Sequence, residues 1–260
     1  MVTALIEGSV GAGKTALAAK IALEANFPCV RLITPQALVH HGESKFISGL
    51  FSEVSKMRLK LTFLAGKCGE IVKAFEEAHK SSSAVIVVDE IERLLDYNPI
   101  GPRFSNLVCQ TLLVQLRQLP PKGRRCLVIA TSSKKEVLDQ MGLLGKKVAQ
   151  IAANTSFSGC FDKIIHTPCL RTGEDVVQAL RGLEGEVSER QLGKRQISVQ
   201  SFSKISEIIQ KNISTRQLTV PIKRLIHFAG VAETTSKPEE FGDKLIQLLE
   251  EDNFLSDSHY

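Results

Sequence analysis

The chain has 260 residues, of which 43% are hydrophobic and 23% charged, an ordinary balance for a protein with a buried core. Its net charge is +5, but it has no Trp and only 5% aromatic residues, so we expect no base-stacking surface and no nucleic-acid partner. Six scattered cysteines without a C-x-x-C pair indicate small buried side chains in a reducing compartment. Since no apolar run reaches the roughly 18 residues of a membrane span and the first residues do not resemble a signal peptide, we expect a cytoplasmic protein.

The first two thirds of the chain alternate between apolar runs and helical patterns. We predict strands at 2–7, 29–33, 84–90, 126–130 and 163–167, and helices at 15–26 and 104–119. The run AVIVVDE at 84–90 is mostly β-branched, which is typical of a strand covered on both faces. Strands that alternate with helices are joined by right-handed crossovers, so the sequence predicts an α/β fold with a parallel sheet flanked by helices.

The character of the sequence changes after the last predicted strand. TGEDVVQALRGL begins with Thr172 and Asp175 in a capping-box pattern, which predicts the start of a helix. The segment at 221–232 begins with a proline, a residue favoured at the first position of a helix. We therefore expect two domains, a nucleotide-binding α/β domain at 1–168 and a small all-helical domain with a C-terminal tail at 169–260.

GSVGAGKT lies between the first predicted strand and the first predicted helix, and it fits the pattern G-x-x-x-x-G-K-[ST]. Its glycines let successive backbone N–H groups point at a phosphate, and the following helix adds its positive N-terminal end. In such a loop Lys14 reaches the outer phosphates and the hydroxyl of Thr15 binds Mg²⁺. We predict that ATP and Mg²⁺ bind here, held by Gly8, Ser9, Val10, Gly11, Ala12, Gly13, Lys14 and Thr15.

Acidic and hydroxyl side chains follow the predicted strands at the carboxyl edge of the sheet, where parallel sheets bind ligands. Asp89 is a predicted Mg²⁺ ligand together with Thr15, and Glu90 could orient or deprotonate an attacking water. TSS at 131–133 ends the next strand, and Ser133 is our candidate for positioning water or touching the outer phosphate. The plain alternatives are that the acids only end a strand and cap a helix, and that the hydroxyls only form a turn.

Three cations are further candidates. Lys223 lies on the predicted helix PIKRLIHF and could bend back onto a γ-phosphate. Arg103 and Arg117 flank the long central helix, and in ring-forming ATPases the cations of one subunit complete the site of the next. From the residues alone, a solvated surface charge is the favoured interpretation of all three.

Longer stretches resemble one family. NFPCVRLITP, DEIERLLDYNPIGPRFSNLVCQTLLVQLRQLPPKGRRCLVIATSSKKEVLDQMG and PIKRLI closely resemble the second ATPase domain of the N-ethylmaleimide-sensitive fusion ATPases. These are vesicle-fusing AAA+ ATPases that take apart SNARE complexes with the help of SNAP adaptors. SNLVCQTLLVQL looks closest to plant members. The resemblance is specific over 8–42, 67–145, 160–187 and 219–228.

The resemblance implies a homo-hexamer with ATP between subunits, held by Gly8–Thr15 and Asp89. It implies that Lys223 senses the phosphate and that Arg117 is donated to the neighbouring subunit, where family members have lysine. In this family the second domain mainly binds ATP to hold the hexamer together. Glu90 departs from the aspartate of animal members, and since glutamate is the usual water-polarising residue of active sites, slow hydrolysis is expected.

The implied function is an ATP-binding, slowly hydrolysing AAA+ domain of a vesicle-fusing ATPase, with the second domain as a helical lid. Family members carry an adenine-contacting segment and further domains upstream. We therefore expect contacts with SNAP and SNARE only through a full-length protein, peripheral to membranes rather than embedded. The main alternative is a non-hydrolysing, nucleotide-dependent oligomerisation scaffold. A P-loop kinase and a nucleic-acid machine are weaker alternatives.

Three stretches fit neither a regular period nor the family pattern. We interpret them as non-native additions, such as translated unspliced sequence, or as lineage-specific loops in a fragment of a longer protein. They are 45–65, 146–159 and 194–215.

Overall fold

A computed structural model describes residues 1–35, 67–95, 106–144, 159–187, 216–235 and 240–257. The irregular stretches at 45–65 and 194–215 lie outside these residues, as does all of 146–159 except Gly159. The chain divides into two units. The first is Met1–Gly8 with Lys14–Thr167, and the second is Ser9–Gly13 with Pro168–Tyr260.

The described part of the first unit alternates strands with helices. Its elements are β1 (Val2–Gly8), α1 (Lys14–Glu24), β2 (Cys29–Ile33), α2 (Lys67–Lys80), β3 (Ser83–Val88), α3 (Ile91–Leu94), α4 (Asn106–Arg117), β4 (Arg125–Ser132), α5 (Lys135–Gln140) and β5 (Lys163–Thr167). The strands form one sheet in the order β2-β3-β4-β1-β5, and every neighbouring pair is parallel. The predicted α/β fold is confirmed, and the predicted strands agree with the observed ones to within two residues.

Both faces of the sheet are covered, as the β-branched composition of β3 predicts. On one face Ile86 belongs to a buried cluster with Phe75 of α2 and Leu112 of α4. On the other face Val87 belongs to a second buried cluster with Ala18 of α1. All six residues of β3 are buried, and their side chains point alternately to the two helical layers, so the strand ends between them.

Helix α2 is absent from the predicted elements. Its buried residues Ile71, Phe75 and Ala78 recur at helical spacing, which is a usable signal. The surrounding sequence EIVKAFEEAHK is otherwise strongly polar, and the helix begins directly after a stretch without any regular period. Three apolar positions in this context are a weak pattern.

The second unit forms α6 (Gly173–Val187), β6 (Arg216–Leu218), α7 (Ile222–Thr235), α8 (Phe241–Glu251) and β7 (Leu255–Asp257) in its described residues. Val176 of α6, Phe228 of α7 and Leu245 of α8 belong to its buried cluster. β6 and β7 pair antiparallel, so the prediction that this part is all-helical is wrong. Strands of three residues are too short to show a period of two, and the partners lie far apart in the chain.

The capping box at the start of α6 is confirmed. Thr172 Oγ1 accepts a hydrogen bond from the backbone N–H of Asp175 at 3.1 Å. Asp175 Oδ2 accepts from the backbone N–H of Thr172 at 3.0 Å and from that of Arg171 at 3.2 Å. A side-chain hydrogen bond of Thr172 to the carboxyl, followed by the bonds from the backbone N–H groups of Arg171 and Thr172, holds the pKa of the Asp175 carboxyl below its usual value.

No helix among the described residues is both long and apolar enough to pass through a membrane.

Candidate functional site

The turn after β1 requires glycine at position 8. Gly8 has a φ of 154°, and a Cβ built on it would lie 2.3 Å from the carbonyl oxygen of Thr167 and 2.4 Å from its hydroxyl. Thr167 is held in this place because its hydroxyl donates to the carbonyl of Glu7 at 2.9 Å. No side chain fits at Gly8, so the close approach of the two backbone segments requires glycine at the first position of the motif.

The middle of the glycine-rich loop, Ser9–Gly13, belongs to the second unit. Gly13 has a φ of 87°, in the left-handed region that favours glycine. The backbone N–H of Lys223 donates to the carbonyl of Gly11 at 3.0 Å, at the start of α7. Ser9 Oγ lies 2.8 Å from Cys169 Sγ. The loop is thus held by backbone and hydroxyl contacts, and Val10 is its most exposed apolar residue at 78% exposure.

Lys14 is the first residue of α1 and only 7% exposed. Its Nζ donates to the carbonyl oxygen of Gly8 at 2.9 Å. Burying an ammonium group is costly unless it is paired. A cation held here, at the N-terminus of a helix, is suited to an anionic ligand.

Thr15 and Asp89 meet in the first unit. Thr15 Oγ1 donates to the carboxylate of Asp89, at 2.9 Å from Oδ1 and 3.2 Å from Oδ2. Asp89 follows β3 directly and is 5% exposed. Its backbone N–H donates to the carbonyl of Ile33 at 2.9 Å, which continues the pairing of β3 with β2. The structure therefore brings together the two residues that the sequence predicts as metal ligands.

Thr131 is a site residue that the predicted set does not include. Its side chain is buried, and Oγ1 donates to Asp89 Oδ1 at 2.6 Å. The same oxygen accepts the backbone N–H of Glu90 at 2.9 Å. The available signal is a hydroxyl at the end of a buried strand in TSS, but the sequence does not tell which of the three hydroxyls turns inward.

Glu90 adopts a left-handed backbone conformation, with φ 50° and ψ 56°. This conformation is uncommon for residues other than glycine, and where it persists the surroundings must hold it. One restraint is its N–H bond to Thr131. Its carboxylate lies 2.7 Å from Arg93 Nη1 in an exposed ion pair, which contributes little to stability.

Ser133 follows β4 and is half-buried. Its backbone N–H donates to Glu92 Oε1 at 2.9 Å. Next to it, the hydroxyl of Ser132 accepts the N–H of Lys134 at 3.1 Å. The predicted position of Ser133 at the carboxyl edge of the sheet is thus observed, and Glu92 is a second residue absent from the predicted set.

The predicted cations lie at the surface. Arg117 is the exposed last residue of α4, and Lys223 is exposed on the first turn of α7 in the second unit. Arg103 lies outside the described residues. The roles of Arg117 and Lys223 towards a nucleotide stay predictions.

The oxygen atoms at Asp89 suit a Mg²⁺ ion that is held largely by water and phosphate, rather than an ion held by protein side chains alone. Among the described residues there is no group of three or more His, Cys, Asp or Glu side chains that could hold an ion. One carboxylate and one hydroxyl in contact could supply the protein ligands of a Mg²⁺ whose other ligands would be water and phosphate oxygens, which is how Mg²⁺ is usually bound.

Comparison with known proteins decides the family. The sequence profile described as "ATPase family associated with various cellular activities (AAA)" matches residues 4–154. The chain belongs to this AAA family. Membership implies nucleotide binding, and the matched range contains the glycine-rich loop, Asp89 and Thr131.

Individual AAA proteins are similar to this chain over a small part of their own length. A vesicle-fusing ATPase of Arabidopsis thaliana is 41% identical over 143 residues, 55% of this chain and 16% of that protein. A vesicle-fusing ATPase of Dictyostelium discoideum is 37% identical over 175 residues, 67% of this chain and 19% of that protein. One of Caenorhabditis elegans is 42% identical over 142 residues, 55% and 15% respectively.

The predicted resemblance to vesicle-fusing ATPases is confirmed by these AAA relatives. The chain spans less than a fifth of the length of each. A plant, a slime mould and a nematode match at similar identity, so the closer likeness to plant members stays a prediction, as does the assignment to the second ATPase domain.

Proposed function

We propose that the chain is an ATP-binding, slowly hydrolysing AAA+ domain that supports the assembly of a hexameric vesicle-fusing ATPase. The observation that carries this proposal is the contact between Thr15 and Asp89, next to a buried lysine at the start of α1. This arrangement supplies a cation for phosphate and oxygen ligands for Mg²⁺ within the first unit. A glycine-rich turn without function would not require a buried carboxylate opposite its threonine.

Each residue has a defined role in this proposal. The backbone N–H groups of Gly8–Thr15 and the ammonium of Lys14 bind the phosphates, and Thr15 and Asp89 hold Mg²⁺. When bound, Mg²⁺ neutralises charge on the phosphates. Glu90 orients the attacking water and accepts its proton, and Ser133 positions that water or the outer phosphate.

Slow hydrolysis is proposed because the family resemblance implies a domain that mainly binds ATP, and the ion pair with Arg93 adds a weak competitor for the carboxylate of Glu90. A general base must be free to reach the water from which it takes a proton. The ion pair at 2.7 Å engages one of its oxygens.

The wider assignment rests on the relatives and the family resemblance. We propose a nucleotide-binding domain at 1–168 and a lid domain at 169–260, in which Lys223 senses the outer phosphate. Arg117 completes the site of the neighbouring subunit in a homo-hexamer. Contacts with SNAP adaptors and SNARE complexes belong to a full-length cytoplasmic protein at the membrane surface, acting in vesicle-mediated transport.

Glu90→Gln tests the proposal by separating hydrolysis from assembly. We expect an ATP-dependent and Mg²⁺-dependent shift from monomer to a six-fold mass in both chains, with turnover lost only in the variant. The matched control is Glu24→Gln, an exposed acid at the end of α1, which should leave both unchanged. Hexamers without turnover in the unaltered chain would favour the oligomerisation scaffold. The absence of any mass shift would contradict the proposed assembly.

A further inference from the structure

Glu92 is a buried acid that the proposed chemistry does not use. It lies on α3, two residues after Glu90, and is 6% exposed. Charged side chains are almost never this buried unless they are paired. One carboxylate oxygen accepts the backbone N–H of Ser133 at 2.9 Å. The other, Oε2, is buried and has no hydrogen-bond partner among the residues that the structure describes.

A buried carboxylate with one unpaired oxygen is not expected to stabilise the fold. A buried acceptor without a donor loses its hydration and gains nothing in return. An apolar side chain at this position would pack against the same surroundings without that loss. What an apolar side chain could not supply is the acceptor for the N–H of Ser133.

The contact of Glu92 with Ser133 joins the two chain segments just beyond the end of the backbone pairing between β3 and β4. The last backbone pair between β3 and β4 is Val88 with Ala130. Beyond it, the hydroxyl of Thr131 bridges Asp89 and the N–H of Glu90. Glu92 then takes the N–H of Ser133. Two side-chain links therefore hold the segment 131–133 against the segment that carries both acids.

We infer that Glu92 is a positioning residue for hydrolysis: it fixes Ser133 relative to Asp89 and Glu90 without touching the nucleotide. This inference rests on the proposed function, since it assigns Ser133 a place in the site. A group displaced by about an ångström can lower a rate strongly while leaving binding intact. Loss of the contact should therefore act on turnover, not on affinity for ATP.

Two conservative variants separate the effect of the length of the Glu92 side chain from the effect of its charge. Glu92→Gln keeps a carbonyl oxygen at the same distance and removes the charge. Glu92→Asp keeps the charge but is shorter by one methylene, so it cannot reach the N–H of Ser133 without backbone movement. A positioning role predicts that Gln resembles the unaltered chain and that Asp does not. A role of the charge itself predicts the reverse.

Amide hydrogen exchange at Ser133, measured by NMR on the full chain, tests the contact without requiring hydrolysis. We expect Glu92→Asp to lose about tenfold or more of the protection at Ser133, while Glu92→Gln keeps it. The amide of Val128 in the middle of β4 should be equally protected in all three chains. Unchanged protection at Ser133 in the Asp variant would overturn the inference, and so would equal loss at Val128, which would indicate general destabilisation.

Kinetics supply the second readout. In Glu92→Asp we expect kcat to fall about tenfold or more, as is typical when a supporting residue of a site is lost, with KM for ATP within about twofold of the unaltered value. Glu92→Gln should restore kcat. A chain that turns over ATP but shows no effect at Ser133 would refute the role of Glu92 and leave the proposed function intact. The expected exchange pattern without any turnover would refute hydrolysis and leave the positioning of Ser133 by Glu92 established.

Discussion

At the scale of single residues, the hydroxyl of Thr131 makes two hydrogen bonds within the candidate site. It donates to Asp89 and accepts from the backbone of Glu90, and its side chain is 1% exposed. Both partners are polar groups at the end of a buried strand, where water is a poor substitute. One hydroxyl thus satisfies the carboxylate that would hold Mg²⁺ and supports the left-handed backbone of the next residue.

Thr131→Val should lower the free energy of unfolding by about 1–3 kcal/mol, because a buried carboxylate loses a donor and a backbone N–H loses its acceptor. The matched control is Thr111→Val on α4, whose hydroxyl donates to the carbonyl of Leu107 at the protein surface. That change should cost less than about 0.5 kcal/mol. Chemical denaturation of the three chains measures both values. Equal losses in the two variants would contradict the role of Thr131.

Gly8→Ala should destabilise the protein by about 2 kcal/mol or more, because the new Cβ meets the backbone of Thr167 at an unfavourable φ. Gly69→Ala is the control: Gly69 lies on α2, and a Cβ built there meets no atom of the described residues within 4 Å outside the helix's own backbone. Alanine there should stabilise the helix by up to about 1 kcal/mol. The melting temperatures should move in opposite directions. A Gly8→Ala chain as stable as the unaltered one would show that the close approach to Thr167 is not real.

At the scale of elements, helix α2 contributes a half-buried histidine, His79, beside the covered face of the sheet. Nε2 of His79 is buried and without a hydrogen-bond partner among the described residues. Its ring meets that of Phe75 edge-on at 6.3 Å. Burial, followed by nearby positive charges including that of Arg124, lowers the pKa of His79 from its ordinary 6.5. Folding therefore favours the neutral form of this histidine.

The lowered pKa makes stability depend on pH through His79. Below the ordinary pKa of 6.5 the unfolded chain binds a proton that the folded chain does not, so the stability present above pH 6.5 declines as the pH falls towards the lower folded value. His79→Leu should remove this part of the decline. Unfolding free energies at pH 7.5 and 5.5 measure it, and identical slopes with and without the histidine would contradict the account.

The elements also show what a single sequence reveals. β3 was predictable because continuous β-branched residues have few uses other than a strand covered on both faces. The capping box of α6 was predictable because a threonine and an aspartate three residues apart satisfy each other's backbone. β6 and β7 were not, because pairing between three-residue strands is decided by tertiary contacts and leaves no local pattern.

At the scale of the whole molecule, the motif positions were predictable and their supports were not. GSVGAGKT and the aspartate after β3 follow from phosphate and metal chemistry, and the parallel sheet explains why their strands end at one edge. Thr131 and Glu92 escaped prediction because each is a common residue in an ordinary place. Each joins the site because its side chain is buried and bonds to a partner 41 or 42 residues away in the chain.

The measurement that tests the central claim most directly is binding of a fluorescent ATP analogue in the presence of Mg²⁺. The unaltered chain should bind it saturably, and Lys14→Ala should weaken the affinity by about tenfold or more, because the buried ammonium that pairs with phosphate is lost. Lys20→Ala, an exposed lysine on the same helix, should leave the affinity unchanged. Binding that does not saturate, or that is equally strong in the Lys14 and Lys20 variants, would contradict the claim that this loop holds a nucleotide.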